Sequence, residues 1–191
     1  METRDRIVEA ACAAILDKGV TDVTVADVGK RSRVSTALVH YHFTTKEKLL
    51  GAACERLAAR RAAARSGALR TARGLDALDA LWSAVATGVG AEVERAWRDL
   101  GLLARRDPAV RTTLASRRRE EMDALTATIP RLLADLGASI PLPADEAAAA
   151  VLVFLDGVAL AMDSGAPVTE VRAAYDAFWL LLVAGGPARG S

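Results

Sequence analysis

Few side chains of this 191-residue chain could do catalytic or metal chemistry. It has two histidines, His40 and His42, and two cysteines, Cys12 and Cys54, and their spacing matches no metal site. A Ser-His-Asp or Cys-His site would depend on one of two histidines that lie two residues apart. A helical enzyme would instead need an Asp, Glu or Arg site, and no spacing in the chain indicates one. We therefore expect no metal, no cofactor and no enzymatic activity.

The polar residues between positions 24 and 42 indicate a different chemistry, the binding of a nucleic acid. This segment predicts two short helices, capped by Thr24 and Ser35 and joined through Arg33. Two short helices with so tight a turn are typical of a helix-turn-helix, whose second helix enters the DNA major groove. A helical wheel of that second helix places small and polar residues on one arc: Thr36, Ala37, His40 and Tyr41. Its other arc is the expected packing face: Leu38, Val39 and His42, with Phe43 just beyond.

The charge distribution favours the same interpretation. Residues 1–73 hold 14 Lys and Arg against 8 Asp and Glu, whereas the remainder holds 11 against 16. A basic first third joined to an acidic remainder indicates a nucleic-acid-binding end and a different partner for the rest. The alternative is chance fluctuation on solvated faces.

The elements that position these residues are all predicted to be helices. The chain has 41 alanines, which are the strongest helix formers, and its periodicity predicts nine helices and no strand. Helices are expected at about 4–18, 24–32, 35–42, 108–136, 144–163 and 168–184. A fourth helix is expected to start from a capping box of Thr44 and Glu47. Residues 58–73, rich in Ala, Arg and Gly, are interpreted as the boundary between two parts of the chain, either a frayed helix end or a loop.

Residues Ile7 to Leu50 resemble the DNA-binding region of TetR-type transcriptional repressors. Four stretches in matching order carry the resemblance: 7–11, 24–28, 34–43 and 46–50. The resemblance implies an all-α homodimer in which residues 1–46 form a three-helix, helix-turn-helix DNA-binding domain. Residues 47–191 then form a helical regulatory domain with a small-molecule pocket and the dimer interface. In this family, ligand binding changes the separation of the recognition helices and releases operator DNA.

Arg33 departs from the family pattern, which usually has glycine in this turn. Either the turn is remodelled, or Arg33 tolerates a positive φ because it contacts DNA. The absence of Asn and Gln removes the bidentate adenine contact, so Thr36 and Ala37 are expected to meet thymine methyl groups and Arg33 guanine. The candidate DNA-binding residues are Thr24, Arg33, Ser35, Thr36, Ala37, His40, Tyr41 and Lys46.

Lys46 lies in the first turn of the predicted fourth helix, where the helix dipole disfavours a cation. A phosphate at that helix start would be held by free N–H groups and the lysine together. A solvated lysine is the alternative. For His40 and Tyr41 the alternative is simple surface exposure.

The acidic remainder carries candidate ligand contacts on several helices: Trp82, Trp97, Arg118, Glu121, Met122 and Phe154. Sparse aromatic residues among many alanines could leave a cavity, and the alternative is that they fill the core. Arg118 and Glu121 continue an apolar stripe, so they pair with each other, bind a ligand, or lie in a solvated charged patch. Asp156 is interpreted as a structural carboxylate rather than a ligand contact.

The last two helices are apolar on more than one side, which predicts a second buried surface against another subunit. The residues expected at this dimer interface are Ala148, Leu152, Val171, Tyr175, Phe178, Trp179 and Leu182.

The cell compartment follows from the cysteines and the first residues. Two cysteines without a pattern are typical of a reduced chain, and the charged first residues continue into an amphipathic helix rather than a signal peptide. The longest apolar run, 147–155, is too short to span a bilayer. We expect a cytoplasmic regulator with operator DNA, a second copy and an unknown inducer as partners, and no membrane. The alternative is a constitutive dimeric DNA-binding protein with no ligand.

Overall fold

The computed structural model of the chain describes residues 2–184, and within that range it has nine α-helices and no strand. The helices are α1 (Thr3–Lys18), α2 (Val25–Ser32), α3 (Thr36–His42), α4 (Lys46–Thr71), α5 (Gly74–Ala86), α6 (Gly88–Ala104), α7 (Pro108–Asp135), α8 (Ala144–Asp163) and α9 (Val168–Ala184). The expected all-α class is confirmed. No helix in this range is both long and apolar enough to cross a bilayer.

The helices form two compact units. The first contains the described residues up to Arg61 together with Glu92–Arg118. The second contains Ala62–Ala91 and the described residues from Arg119 onward. Helices α4, α6 and α7 therefore contribute residues to both units.

The core of the first unit is built from one stripe of each of its helices. Ile7, Ile15, Leu49 and Leu57 are almost fully buried there. Cys12 is also buried, and its thiol donates a hydrogen bond to the carbonyl of Ala53, 3.6 Å away. The residue packs as a small apolar group, and this burial raises the pKa of its thiol to about 11.

The core of the second unit is centred on Tyr175 of α9. Its ring lies edge-on to Trp82, with the ring centroids 5.2 Å apart. Its hydroxyl donates to the backbone carbonyl of Leu78 at 2.7 Å, which satisfies the polar end of a fully buried side chain. Phe154 and Trp179 pack around the same ring. With Phe178, which stacks on Phe154, five of the chain's eight aromatic side chains meet in one cluster.

The boundary expected within residues 58–73 lies there, because the two units divide after Arg61, but the segment is not the loop or frayed helix end that the sequence suggested. Its residues continue α4 without a break to Thr71, and two of its arginines, Arg61 and Arg65, are almost fully buried. In the first unit, the Arg61 Nε atom lies 3.0 Å from Glu94, and its guanidinium lies over the Trp97 ring at 4.6 Å. A charged pair therefore occupies core positions, which a search for apolar residues alone does not identify.

In the second unit, Arg65 lies between two carboxylates. Its guanidinium donates to Glu121 at 3.3 Å and to Asp156 at 3.2 Å. Arg65 and Glu121 are buried, whereas the Asp156 side chain is 31% exposed. Glu121, left open between several roles from the sequence, is thus an ion-pair partner of Arg65. Asp156 has the structural role expected of it.

The N-cap of α4 is Thr45 rather than Thr44, a second correction. The Thr45 hydroxyl accepts the hydrogen bond of the Lys48 backbone N–H at 3.2 Å. The third helical residue is then a lysine, which cannot accept a bond in return, so the expected box with Glu47 does not form. Lys46 remains in the first turn, as expected.

Arg65→Ala should lower the free energy of unfolding by about 3–5 kcal/mol, because it leaves Glu121 buried without this partner and takes one from Asp156. Urea denaturation measures this. Arg73→Ala is the matched control, because Arg73 forms an exposed ion pair with Asp135 at 3.4 Å and should cost at most about 1 kcal/mol. Equal losses for the two variants would contradict this account of the buried cluster.

Candidate nucleic-acid interface

Helix α2 begins at a complete capping box. The Thr24 hydroxyl accepts from the Asp27 backbone N–H at 3.1 Å, and the Asp27 carboxylate accepts from the Thr24 N–H at 3.0 Å. The same carboxylate accepts from the Lys18 ammonium of α1 at 2.5 Å. The bonds from Lys18 and Thr24 hold the pKa of Asp27 well below its usual range. These bonds close the first turn of α2 and also connect it to α1.

The turn between α2 and α3 has a left-handed backbone at Arg33, with φ 55° and ψ 44°. The Arg33 N–H donates to the Lys30 carbonyl at 3.3 Å, and the Val34 N–H donates to the Gly29 carbonyl at 3.0 Å. Of the two interpretations left open by the sequence, the structure has the positive φ and not a remodelled turn.

The glycine that this turn needs is Gly29, one turn of helix before Arg33. A Cβ atom on Gly29 would lie 3.1 Å from the Val34 carbonyl oxygen. Glycine therefore lets the chain fold back closely against the end of α2.

Helix α3 begins at Ser35, whose hydroxyl accepts from the Leu38 backbone N–H at 3.2 Å. Val39 and Phe43 are buried and hold the helix against the first unit's core. Leu38 differs from expectation. It is 36% exposed rather than packed inward, because Val39 and Phe43 already fill the inner side of this seven-residue helix.

The arc of α3 that the helical wheel predicts to read DNA, here called the outer arc, is exposed and does not belong to the core. Tyr41 is 81% exposed. The remaining outer residues are also exposed: Thr36, Ala37 and His40. Together they present a phenol ring, an imidazole, the hydroxyl and methyl groups of Thr36, and the methyl group of Ala37. These are groups that can meet base edges, base methyls and sugars.

The cations expected at this surface lie on its flanking elements. Arg33 is exposed in the turn, and its guanidinium forms no hydrogen bond or ion pair with any residue that the structure describes. Lys46 is half-buried at the start of α4. Seven of the eight candidate DNA-binding residues are exposed, and all eight are in the first unit. Thr24 uses its hydroxyl for the capping box of α2.

Two further exposed lysines, Lys30 and Lys48, were not among the candidates. Lys30 lies near the end of α2, one helical turn before the reversal at Arg33. The Lys48 ammonium donates to the Thr44 hydroxyl at 3.1 Å. Their signal in the sequence was a lysine within three positions of a selected residue, Arg33 or Lys46, in a chain that has only four lysines.

The six candidate ligand contacts are divided between the units. Trp97 and Arg118 are in the first unit, and the other four are in the second. There Trp82 and Phe154 both contact Tyr175, and Met122 packs against the same core. Glu121 is paired with Arg65.

The candidate dimer residues are mostly buried within their own chain. Five lie in the core of the second unit: Ala148, Leu152, Val171, Tyr175 and Trp179. Phe178 and Leu182 are half-buried at its edge. The large apolar side chains that these two helices expose are different ones: Val153, Leu160, Val168, Leu180 and Leu181.

Residues 7–53 match the family model for the N-terminal domain of bacterial regulatory proteins of the tetR family. This segment contains α2, α3, the turn between them and the start of α4. No curated protein sequence matches the chain.

The whole chain is similar in fold to several solved structures. A transcriptional regulator from Rhodococcus sp. Rha1 is 24% identical, with a TM-score of 0.75 over 99% of this chain and 100% of that one. A TetR transcription regulator from Haloarcula marismortui is 20% identical, with a TM-score of 0.75 over 95% and 97%. A protein from Saccharomonospora viridis, described as a transcriptional regulator in complex with choline, is 23% identical, with a TM-score of 0.73 over 92% and 94%. The resemblance to TetR-type transcriptional regulators is confirmed.

Arg33→Gly should raise the free energy of unfolding by about 0.5–1 kcal/mol, because glycine adopts positive φ without strain but loses more chain entropy on folding. Arg33→Ala is the matched control, because alanine keeps the strain and should not stabilise the protein. Chemical denaturation of both variants measures the difference. An Arg33→Gly protein that is no more stable than Arg33→Ala would contradict a strained turn.

Proposed function

We propose that the chain is a homodimeric transcriptional repressor that binds a palindromic operator through α3 and is released by a small molecule. The observation that carries the proposal is the exposed polar arc of α3, held by two capped helices and a tight turn in a segment that matches the tetR-family model. Regulators of this family are generally not enzymes.

The arc of α3 supports readout of bases without asparagine or glutamine. Thr36 and Ala37, on the first turn, suit contact with thymine methyl groups. Arg33, without a protein partner among the described residues, suits the O6 and N7 atoms of guanine. His40 and Tyr41 lie one turn further along α3 and can reach the flanking base or the backbone.

Phosphate contacts are supported at the start of α4. The first backbone N–H groups of a helix have no partner within that helix, and they favour an anion. Lys46 is at this end, and its cost against the helix dipole is removed when a phosphate is bound. Lys30 and Lys48 add two more exposed cations in the first unit.

Lys46→Ala should weaken binding to every DNA sequence alike and lower the slope of log affinity against log salt by about 1, because it removes one phosphate contact. Thr36→Val should instead change which bases are preferred. Binding of operator and random duplexes at several salt concentrations measures both effects. Arg111→Ala, an exposed arginine of α7, is the control and should change neither. A chain that binds operator and random duplex equally would refute specific recognition.

A dimer through α8 and α9 is supported by the apolar residues that these helices expose. Leu181 of α9 and Val153 of α8 are 73% and 63% exposed in the single chain. Apolar surface of this kind is typical of a subunit interface. Two such helices from each copy can form a four-helix contact with two-fold symmetry. A two-fold dimer would present its two α3 helices to two half-sites of a palindrome.

Leu181→Glu should produce monomers or a dimer weakened at least tenfold, because the charge would be buried at the interface without a partner. Leu75→Glu on α5 is the matched control, because Leu75 is 72% exposed and should leave the dimer intact. Analytical ultracentrifugation measures both. A stable, soluble monomer of the unmutated chain would contradict the proposed assembly.

The second unit is the proposed place of the ligand. Trp82, Phe154 and Met122 provide aromatic and thioether surface there, beside the charged cluster of Arg65. The Saccharomonospora viridis protein of similar fold was solved with choline. Aromatic rings bind quaternary ammonium groups, so choline is the first compound to test, followed by other small cations and neutral amphiphiles.

Release from DNA distinguishes this proposal from a constitutive DNA-binding protein. A compound that lowers operator affinity tenfold requires about 1.4 kcal/mol of coupling, and operator DNA must then weaken the binding of that compound tenfold. Phe154→Ala should abolish the response while leaving operator affinity within a few-fold. Gel shifts with each compound, repeated with this variant, measure the effect. If no compound releases the operator, the constitutive alternative is correct.

A further inference from the structure

The first unit contains a cavity of about 710 Å³ that is separate from the outer arc of α3. Two pieces of chain line it. One is the connection between α1 and α2, which contributes Val20. The other is the end of α6 and the turn that follows it, from Asp99 to Arg106. A volume of this size is enough for a small organic molecule.

The charged groups of this cavity favour an anion. Arg105 and Arg106 both line it, against one carboxylate, that of Asp99. Both arginines are exposed, and neither guanidinium forms a hydrogen bond or ion pair with any residue that the structure describes. Two adjacent guanidiniums, neither of them paired with a described carboxylate, suit a carboxylate, sulfonate or phosphate group.

Apart from Thr21, the remaining wall is apolar. Leu102 is 64% exposed, although leucine is among the most apolar side chains. Leu103 and Val20 complete this side of the cavity. An inorganic anion would leave this surface in contact with water, whereas a ligand with an apolar body would cover it.

We propose that this cavity binds an organic anion with an apolar body, such as a medium-chain carboxylate. Arg105 and Arg106 hold the anionic group, and Leu102, Leu103 and Val20 contact the hydrocarbon. Binding at this cavity requires neither the ligand region proposed in the second unit nor operator DNA. A molecule seated there contacts the chain just before Thr24, the cap of α2, as well as the end of α6.

Isothermal titration of the full-length protein with decanoate, at concentrations below micelle formation, tests the proposal. Decanol and decyltrimethylammonium have the same hydrocarbon with a neutral or a cationic head, and both should bind at least tenfold more weakly. Acetate has the head group alone and should also bind at least tenfold more weakly.

Variants assign the binding to this cavity. Arg105→Glu, Arg106→Glu and Leu102→Asp should each weaken decanoate binding about tenfold or more. Arg111→Glu, which reverses an exposed charge on α7 outside the cavity, should bind decanoate as the parent does. Circular dichroism of each variant verifies the fold. Three outcomes would overturn the proposal: no decanoate binding, equal binding of decyltrimethylammonium, or unchanged affinity in folded variants.

Discussion

The left-handed backbone at Arg33 is the constraint on which the position of α3 depends. The chain must leave α2, reverse and enter α3 within three residues, and the positive φ at the first of them, Arg33, makes this possible. The chain returns close to Gly29, where an added Cβ atom would lie only 3.1 Å from the Val34 carbonyl oxygen. The capping bonds of Thr24 and Ser35 then fix the start of each helix. A small strain is retained at Arg33, whose guanidinium is exposed and forms no hydrogen bond or ion pair with a described residue.

Charge has two roles in this chain, and only one of them concerns DNA. Several of the basic residues in the first 73 positions are used inside the fold: Arg61 and Arg65 are buried in ion pairs, and Arg56 pairs with Asp5 and Glu9. The cations left exposed beside α3 are fewer: Lys30, Arg33 and Lys48, with Lys46 half-buried. Part of the excess positive charge of the first third therefore stabilises the fold, and only the remainder is exposed beside α3.

Sequence periodicity predicted the helices well where caps and breakers are strong. Helices α8 and α9 were expected at 144–163 and 168–184 and lie there, because Gly165 and Pro167 separate them. Which face of α9 turns inward was beyond the pattern, since both of its sides are apolar and either could fill the core. The buried arginines were missed for the opposite reason: an arginine looks solvated unless its carboxylate partner, here 33 or 56 positions away, is known.

The central claim is that two copies of α3 read two halves of one operator. Hydroxyl-radical footprinting on a duplex selected from a random library by the full-length protein tests it most directly. The account predicts an inverted repeat with two protected half-sites whose centres lie about 34 Å apart or a multiple of it, on one face of the DNA. A single protected half-site, or uniform protection without a repeated sequence, would contradict it.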